Sequence, residues 1–286
     1  MTVLAGSKSG ADRAYSCNKT EQTGIPGENA LKRLDGKVIL VAGGGGIGDE
    51  LAQRYAREGA AIVIGDLNAD RARETAAAIL AAGGSAHAVR LDGGDERSIA
   101  ESVRIACETY GGLDGLHANF AALNLLNDDT DVLDVSLDVF DGTMQVNARG
   151  FLLCTRHALP PMLARGRGSI VYTSSGAAHG GEPQRVSYAM SKAAGQALMR
   201  HVAMRYGREG IRANAIAPGL IRHKGWDAWA PEILAELERN GTANMAVDYP
   251  GRPEDIASIG TLLMSDEGAF ITGQVISVDG GTSMRP

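Results

Sequence analysis

The feature that most limits how this chain can fold is a recurring short apolar run that ends in glycine or aspartate and leads into a helical segment. Val38-Ile39-Leu40-Val41 runs into glycines, Ala61-Ile62-Val63-Ile64 into Gly65-Asp66, and Ala86 to Leu91 into Asp92. The first two runs are apolar throughout, as suits strands buried on both faces of a sheet. Further strands are expected at Leu113 to Ala118, Gly168 to Thr173, Ile211 to Ala217 and Gly273 to Val278. The intervening stretches read as helices: Asp49 to Glu58, Ala69 to Ala82 (stopped by Gly83-Gly84), Glu96 to Tyr110, about Leu137 to Leu163, Tyr188 to Tyr206 and Pro253 to Met264. Strands alternating with helices imply a parallel, doubly wound α/β sheet of about seven strands with helices on both faces. A length of 286 residues would suit two domains, but the strand count assigns 34–286 to one. Residues 1–33 are polar and aperiodic and read as a tail or arm.

Composition narrows the classes of function. Lys+Arg number 28 against 34 Asp+Glu, a formal net charge of −6. The charge is spread along the chain, which disfavours nucleic acid as a partner. No apolar stretch approaches the ~18 residues of a membrane span. Cys17, Cys107 and Cys154 are odd in number, widely spaced and without a C-x-x-C pair, so neither a disulfide framework nor a metal site is expected. The first ten residues lack the apolar core of a signal peptide, and the cytoplasm is the expected compartment. Glycine is in excess, at 38 residues, roughly twice the usual ~7%.

Part of that excess follows the first strand as Gly43-Gly44-Gly45-Gly46-Ile47-Gly48. Positions 43, 45 and 48 satisfy G-x-G-x-x-G, which gives a sharp turn, close backbone approach to a pyrophosphate and tight packing of the next helix. That helix would offer the phosphates its free N–H groups. A merely flexible turn is the alternative. Asp66 ends the second strand, eighteen residues after Gly48. A carboxylate there suits ribose hydroxyls and repels a 2′-phosphate, which favours NAD over NADP. Asp92, ending the third strand, is placed to bond an adenine amino group or to start a helix.

At the other half of the sheet Ser174-Ser175 follows the strand ending at Thr173. Tyr188 stands thirteen residues after Ser175, and Lys192 four after Tyr188. On a helix, i and i+4 share a face, so Tyr188 and Lys192 would point together into the crevice beyond the strand ends. A free phenol, of pKa about 10, is a poor base near neutrality; a neighbouring ammonium lowers that value. Tyr188 could then exchange a proton with a substrate hydroxyl while Ser175 holds the oxygen. Alone, Tyr-x-x-x-Lys is also an ordinary helix pair.

Together these motifs resemble the short-chain dehydrogenase/reductase family, in its single-domain Rossmann form, from about Leu34 to the C-terminus. The residues that carry the resemblance are the glycine turn, Asp66, Asp92, Ala118-Asn119-Phe120-Ala121, Asn147, Ser175, Tyr188, Lys192, Asn214, Pro218-Gly219 and Gly273 to Gly281. The resemblance implies that Tyr188 is the acid/base, that Lys192 lowers its pKa and bonds the nicotinamide ribose, and that Ser175 anchors the substrate oxygen. It gives Asn147 a place in a water-linked proton relay. It implies NAD contacts at Gly43, Gly45, Gly46, Ile47, Gly48, Asp66, Leu67, Asp92, Gly93, Asn119, Ala121, Tyr188, Lys192, Pro218, Gly219 and Ile221. It also implies a homo-oligomer, tetramer or dimer. The chain departs from the family's T-G-x-x-x-G-x-G in having Ala42 for the threonine and a glycine turn that is one residue shorter or shifted in register. Phe120 and Ala121 stand where N-A-G is usual, and His223 stands where a threonine is common.

Substrate would be enclosed by Ala122 to Asp131, Gly176 to Ser187 and Leu220 to Pro250. The last contains Trp226, Trp229 and an expected helix at Pro231 to Arg239, and reads as a lid. His179, Glu182 and His223 read as solvated or structural. The expected function is hydride transfer between a secondary alcohol or ketone and NAD. A same-fold epimerase or dehydratase and a non-catalytic NAD-binding scaffold are the alternatives.

Overall fold

The computed structural model describes residues 32–284. The expected tail lies outside them except for Lys32 and Arg33, and so does Cys17. Arg33 donates to the buried Glu58 carboxylate at 2.5 Å, and this bond holds Glu58 below its ordinary pKa.

Within the described residues the strands are β1 Val38–Ala42, β2 Ala61–Asp66, β3 Ser85–Arg90, β4 Gly115–Ala118, β5 Gly168–Thr173, β6 Ile211–Pro218 and β7 Val275–Val278. They pair in parallel in the order β3-β2-β1-β4-β5-β6-β7. The order reverses between β1 and β4, which opens a crevice beyond their carboxyl ends. The helices are α1 Gly45–Arg57, α2 Ala69–Ala81, α3 Glu96–Tyr110, α4 Leu137–Thr143, α5 Gly150–Ala164, α6 Val186–Tyr206, α7 Pro231–Thr242 and α8 Pro253–Met264. The single-domain doubly wound fold expected from the strand alternation is the one observed.

Both sheet faces are buried, as the uninterrupted apolar runs require. Leu40, Leu116, Ile170 and Ala215 face a core completed by Ile99, Val103, Phe151 and Met199 from α3, α5 and α6. Ile39, Ile62 and Val171 face the other way, against Leu51 and Tyr55 of α1, Ile79 of α2 and Ile256 and Leu263 of α8. Helix boundaries follow local chemistry. Asn68 caps α2 by accepting from the N–H groups of Asp70 and Arg71, and Gly111 ends α3 in the left-handed conformation.

Several element boundaries differ from expectation: β4 begins at Gly115 rather than Leu113, β7 at Val275 rather than Gly273 and α6 at Val186 rather than Tyr188, and α7 runs on to Thr242. Helix α1 begins at Gly45 rather than Asp49, because the glycines take up the first turn. The expected helix 137–163 is interrupted by a π-helical segment, Met144–Arg149. The wider turn accompanies an inward-facing, fully buried Asn147, whose amide bonds other elements. It ends at Gly150, where a Cβ would lie 2.4 Å from the Gly93 carbonyl oxygen. Single π turns of this kind occur frequently at functional sites.

The segment 220–250 is pinned at its base and again where the Ala246 and Val247 N–H groups donate to Gly280 O. Ile221 and Gly251 form a parallel bridge, with Gly251 N–H donating to Leu220 O and Arg222 N–H to Gly251 O, both at 2.9 Å. Beyond it come a short 3-10 turn, Lys224–Ala228, and α7, which has no buried residue. Trp226 and Trp229 stack at 5.8 Å.

Candidate active site

At the carboxyl end of β1 the chain turns on Gly43, Gly45 and Gly46, with φ of 105°, 71° and 27°, values that L side chains rarely adopt. The strand carries through Ala42 and the turn begins at Gly43. Gly48 packs so closely that a Cβ would lie 1.9 Å from the Gly43 carbonyl oxygen. Ile47, between them, packs on the α1 side of the core. The Gly44 N–H donates to Asp66 Oδ2 and the Gly45 N–H to Asp49 Oδ1, each at 2.9 Å. Asp66 Oδ1 accepts from Asn68 N–H at 2.8 Å, and the Arg71 guanidinium stands 3.8 Å from the same oxygen. Leu67 follows, its side chain exposed. Asp66 therefore stands buried at the glycine turn, where each of its oxygens accepts from a backbone N–H.

The other expected contacts divide. Asn119 donates from Nδ2 to Gly43 O at 3.0 Å, tying the turn to the end of β4. Asp92 accepts from Gly94 N–H at 3.0 Å and meets Arg90 at 3.3 Å, the behaviour of a turn residue. Gly93 lies under the Phe120 ring, 2.6 Å from where its Cβ would be. Ala121 O accepts from Leu123 N–H. Pro218 ends β6 opposite Val278, and Gly219 approaches Asp279 so closely that a Cβ would lie 2.7 Å from its Cα. The Ile221 side chain is buried in the core beside α8. His223 lies against the glycine turn, its Cγ 2.9 Å from the position of a Gly46 Cβ.

The second cluster sits at the carboxyl end of β5. Ser175 accepts from Ala177 N–H at 3.2 Å, which leaves its own proton to donate. It is a hydrogen-bonding neighbour of the Tyr188 phenol. One turn along α6, the buried Lys192 donates to Thr173 O at 2.9 Å. Its nitrogen lies 5.6 Å from the Tyr188 ring centre and 5.0 Å from that of Phe151. Asn147 accepts from Ala122 N–H at 2.8 Å and donates to Ser191 Oγ at 2.9 Å. Ser191 in turn donates to Tyr188 O at 2.7 Å. The structure thus brings Ser175, Tyr188, Lys192 and Asn147 into one neighbourhood.

The electrostatics differ from the expected drop in the tyrosine pKa. Burial pushes the Tyr188 phenol above its ordinary value; Ser175 and Arg185 pull it down, and Glu182 pushes it up. Burial also pushes the Lys192 ammonium down, to about 7. Both shifts have one cause: a dry site penalises each charged form.

Sequence reasoning missed a buried hydrogen-bond chain behind both clusters. Tyr55 Oη meets His117 Nδ1 at 2.8 Å, and His117 Nε2 meets Thr173 Oγ1 at 3.0 Å. Thr173 Oγ1 donates to Asn119 Oδ1 at 2.8 Å. Its single proton is spent there, so it accepts from His117 Nε2–H, and His117 Nδ1 accepts the Tyr55 proton. The chain runs one way, Tyr55 to His117 to Thr173 to Asn119 to Gly43 O, and Thr173 O also receives Lys192. The sequence signal was a lone histidine in an apolar strand. Also missed was Asp129, whose carboxylate caps α6.

Of the polar loop residues, Glu182 pairs with Arg185 at 2.8 Å and His179 Nε2 lies 3.3 Å from Ser283 Oγ. Cys107 is half-buried and Cys154 buried, both as free thiols. Among the described residues no group of three His, Cys, Asp or Glu is placed to hold a metal ion. No helix there is long and apolar enough to cross a membrane.

A parallel sheet with a glycine turn at its switch point and a Ser-Tyr-Lys cluster across the crevice defines an oxidoreductase of the Rossmann class. Comparison with known proteins gives the family. A family model described as enoyl-(acyl carrier protein) reductase matches residues 41–283. A protein of Bradyrhizobium diazoefficiens, named a probable short-chain type dehydrogenase/reductase, is 41% identical over 88% of this chain and 89% of its own. A (+)-cis,trans-nepetalactol synthase of Nepeta racemosa is 33% identical over 92% of this chain and 97% of its own. Among solved structures, 7α-hydroxysteroid dehydrogenase complexed with NADH and 7-oxo glycochenodeoxycholic acid superposes with a TM-score of 0.80 at 30% identity, covering 90% of this chain and 99% of that one. The chain belongs to the short-chain dehydrogenase/reductase family.

Proposed function

We propose that the protein transfers a hydride between a secondary alcohol or ketone and NAD. One observation carries the reading: the hydroxyls of Ser175 and Tyr188 are neighbours at the end of β5, with the buried Lys192 one helical turn on. Two hydroxyls so placed suit a single substrate oxygen. The glycine cradle fits a dinucleotide, since side chains at Gly43, Gly46 or Gly48 would collide with neighbouring atoms. The nicotinamide supplies or accepts the hydride; the protein handles the proton. Ser175 donates to the substrate oxygen, and Tyr188 gives a proton to a ketone or takes one from an alcohol. Lys192 and Asn147 stand behind Tyr188 as its relay.

Burial affects the resting protonation state of Tyr188. It favours the neutral phenol, so near neutrality Tyr188 is poised to donate, which suits reduction. Oxidation needs the phenolate and speeds up as pH rises.

Asp66 supports NAD over NADP through its carboxylate at the ribose end. The pinned segment 220–250 acts as a lid over a small or medium substrate. Leu152, Met190, Met204 and Phe270 expose apolar surface, in keeping with a homo-oligomer, tetramer or dimer. The family setting and the sequence are in keeping with a cytoplasmic enzyme.

The test is an NADH-absorbance screen of secondary alcohols and ketones with wild type and Tyr188→Phe. Removing the acid/base lowers turnover by about 10²–10⁴-fold, with NAD affinity nearly unchanged. Retained turnover in the variant refutes the proton-transfer role.

A further inference from the structure

Helix α6 carries Tyr188 in its first turn, and that turn is poorly specified by its own sequence. Its N-cap is Arg185, which has no side-chain acceptor to offer and makes no capping bond. Arg185 is also the one described non-glycine residue with positive φ, at 59°, a conformation that is strained for a residue with a Cβ. A helix beginning this way leaves its first N–H groups without partners.

They find partners in a segment more than fifty residues upstream. Arg185 N–H donates to Asp129 O at 3.0 Å and Val186 N–H to Thr130 O at 3.2 Å. Ser187 N–H donates to Asp129 Oδ1 at 3.0 Å and Tyr188 N–H to Asp129 Oδ2 at 2.7 Å. Four successive donors are thus met by two residues, and the Asp129 carboxylate takes two with one oxygen each. The first intrahelical bond, Ala189 N–H to Arg185 O, follows directly. Asp129 is 3% exposed, and its charge is matched by the helix end.

The carbonyl side of Tyr188 is held too. Ser191 Oγ donates to Tyr188 O and accepts from Asn147, and Asn147 accepts from Ala122 N–H. Residues 122 and 129 therefore fix the tyrosine's backbone from both sides.

We infer that Asp129 is the positioning residue for Tyr188: its bidentate cap holds the first turn of α6 in the register that sets the phenol beside Ser175. The inference rests on Tyr188 being the acid/base of the proposed reaction. It gives the segment 122–131 a task beyond walling the substrate pocket. A displacement of about 1 Å in a reacting group costs on the order of 10²-fold in rate, and loss of both cap bonds frees the turn to move by that much.

The experiment has an activity arm and an arm that needs no turnover. Asp129→Ala lowers kcat by about 10²-fold while the Kd for NADH stays within about twofold. Asp129→Asn, which keeps one acceptor, recovers part of the loss. A purely structural role would lower the folded fraction without changing kcat per folded molecule. An unchanged kcat for folded Asp129→Ala therefore overturns the inference. In wild type, amide exchange at Ser187 and Tyr188 is as slow as in the middle of α6, and in Asp129→Asn it accelerates. Fast exchange at those amides in wild type overturns the inference whether or not either variant folds. If wild type turns over no alcohol or ketone, the proposed reaction fails, and the exchange arm alone still decides whether Asp129 holds the turn.

Discussion

His117 makes a pH-dependent contribution to stability that a single substitution can expose. It is fully buried between Tyr55 and Thr173, and burial pushes its pKa down from 6.5 to about 3. His117→Val keeps a strand-favouring side chain and removes both hydrogen bonds. Tyr55 Oη then becomes a buried donor without its partner, which costs ~1–3 kcal/mol, and Thr173 loses an accepted bond worth ~1 kcal/mol. At pH 8 the variant is less stable by about 2–4 kcal/mol.

The gap narrows in acid. The folded-state pKa of His117 lies below its unfolded value, so below pH 6.5 the unfolded chain binds a proton that the folded chain refuses. The stability contributed by neutral His117 is complete above pH 6.5 and falls away as pH drops towards 3. By pH 5 wild type has lost about 2 kcal/mol through this group, and the variant has lost none of it. Urea unfolding at fixed protein concentration, at pH 8, 7, 6 and 5, measures the difference. A wild-type-to-variant gap constant within about 0.5 kcal/mol across that range refutes the reasoning. Adding Tyr55→Phe to His117→Val removes the orphaned hydroxyl, so the double variant is more stable than His117→Val alone. Strict additivity would show that the two side chains are not coupled.

Two further predictions concern the cofactor end. Asp66→Ser keeps one acceptor for the turn and removes the charge; kcat/KM for NADP relative to NAD rises by about tenfold, or ~1.4 kcal/mol, and an unchanged ratio takes Asp66 out of the ribose site. Phe120→Ala empties a half-buried slot and destabilises the fold by about 2 kcal/mol; a loss below about 0.5 kcal/mol in urea unfolding would mean the ring is not packed as described.

The fold was legible because its signal is redundant. Val38–Ala42 and Ala61–Asp66 are buried along nearly their whole length, and nothing but a doubly covered parallel sheet accommodates a series of such runs. Ser175, Tyr188 and Lys192 were legible for a similar reason, since strand end and helix period fix where they point. The protonation balance was not, because it depends on dryness: Lys192 is spaced to stabilise a phenolate, yet burial outweighs that spacing. Asp129 was hidden because its partners are backbone N–H groups far along the chain, which leave no pattern in side-chain identity. The π turn at Asn147 was hidden because its cause, two bonds to other elements, is tertiary.

The packing around the end of β4 joins several residues into one support. Alternation along β4 sends His117 towards Tyr55 on the α1 face, and Leu116 and Ala118 towards the α3–α5 face. Phe120 follows onto that second face, where it meets Phe151 edge-on at 5.2 Å. Its ring fits only because residues 93 and 150 lack side chains: Cβ atoms there would lie 2.6 and 2.8 Å from it. Phe151 then carries Lys192 over its own ring. A large residue at 120 thus comes with glycines at 93 and 150 and a histidine-centred support at 117, and Lys192 touches both systems, through Phe151 and through Thr173 O. Phe120, which departs from the family's motif, is therefore part of a packed support for the lysine and the glycine turn. Replacing Phe120 by a small residue alone therefore loosens the site, because Gly93 and Gly150 offer no side chain to fill the space.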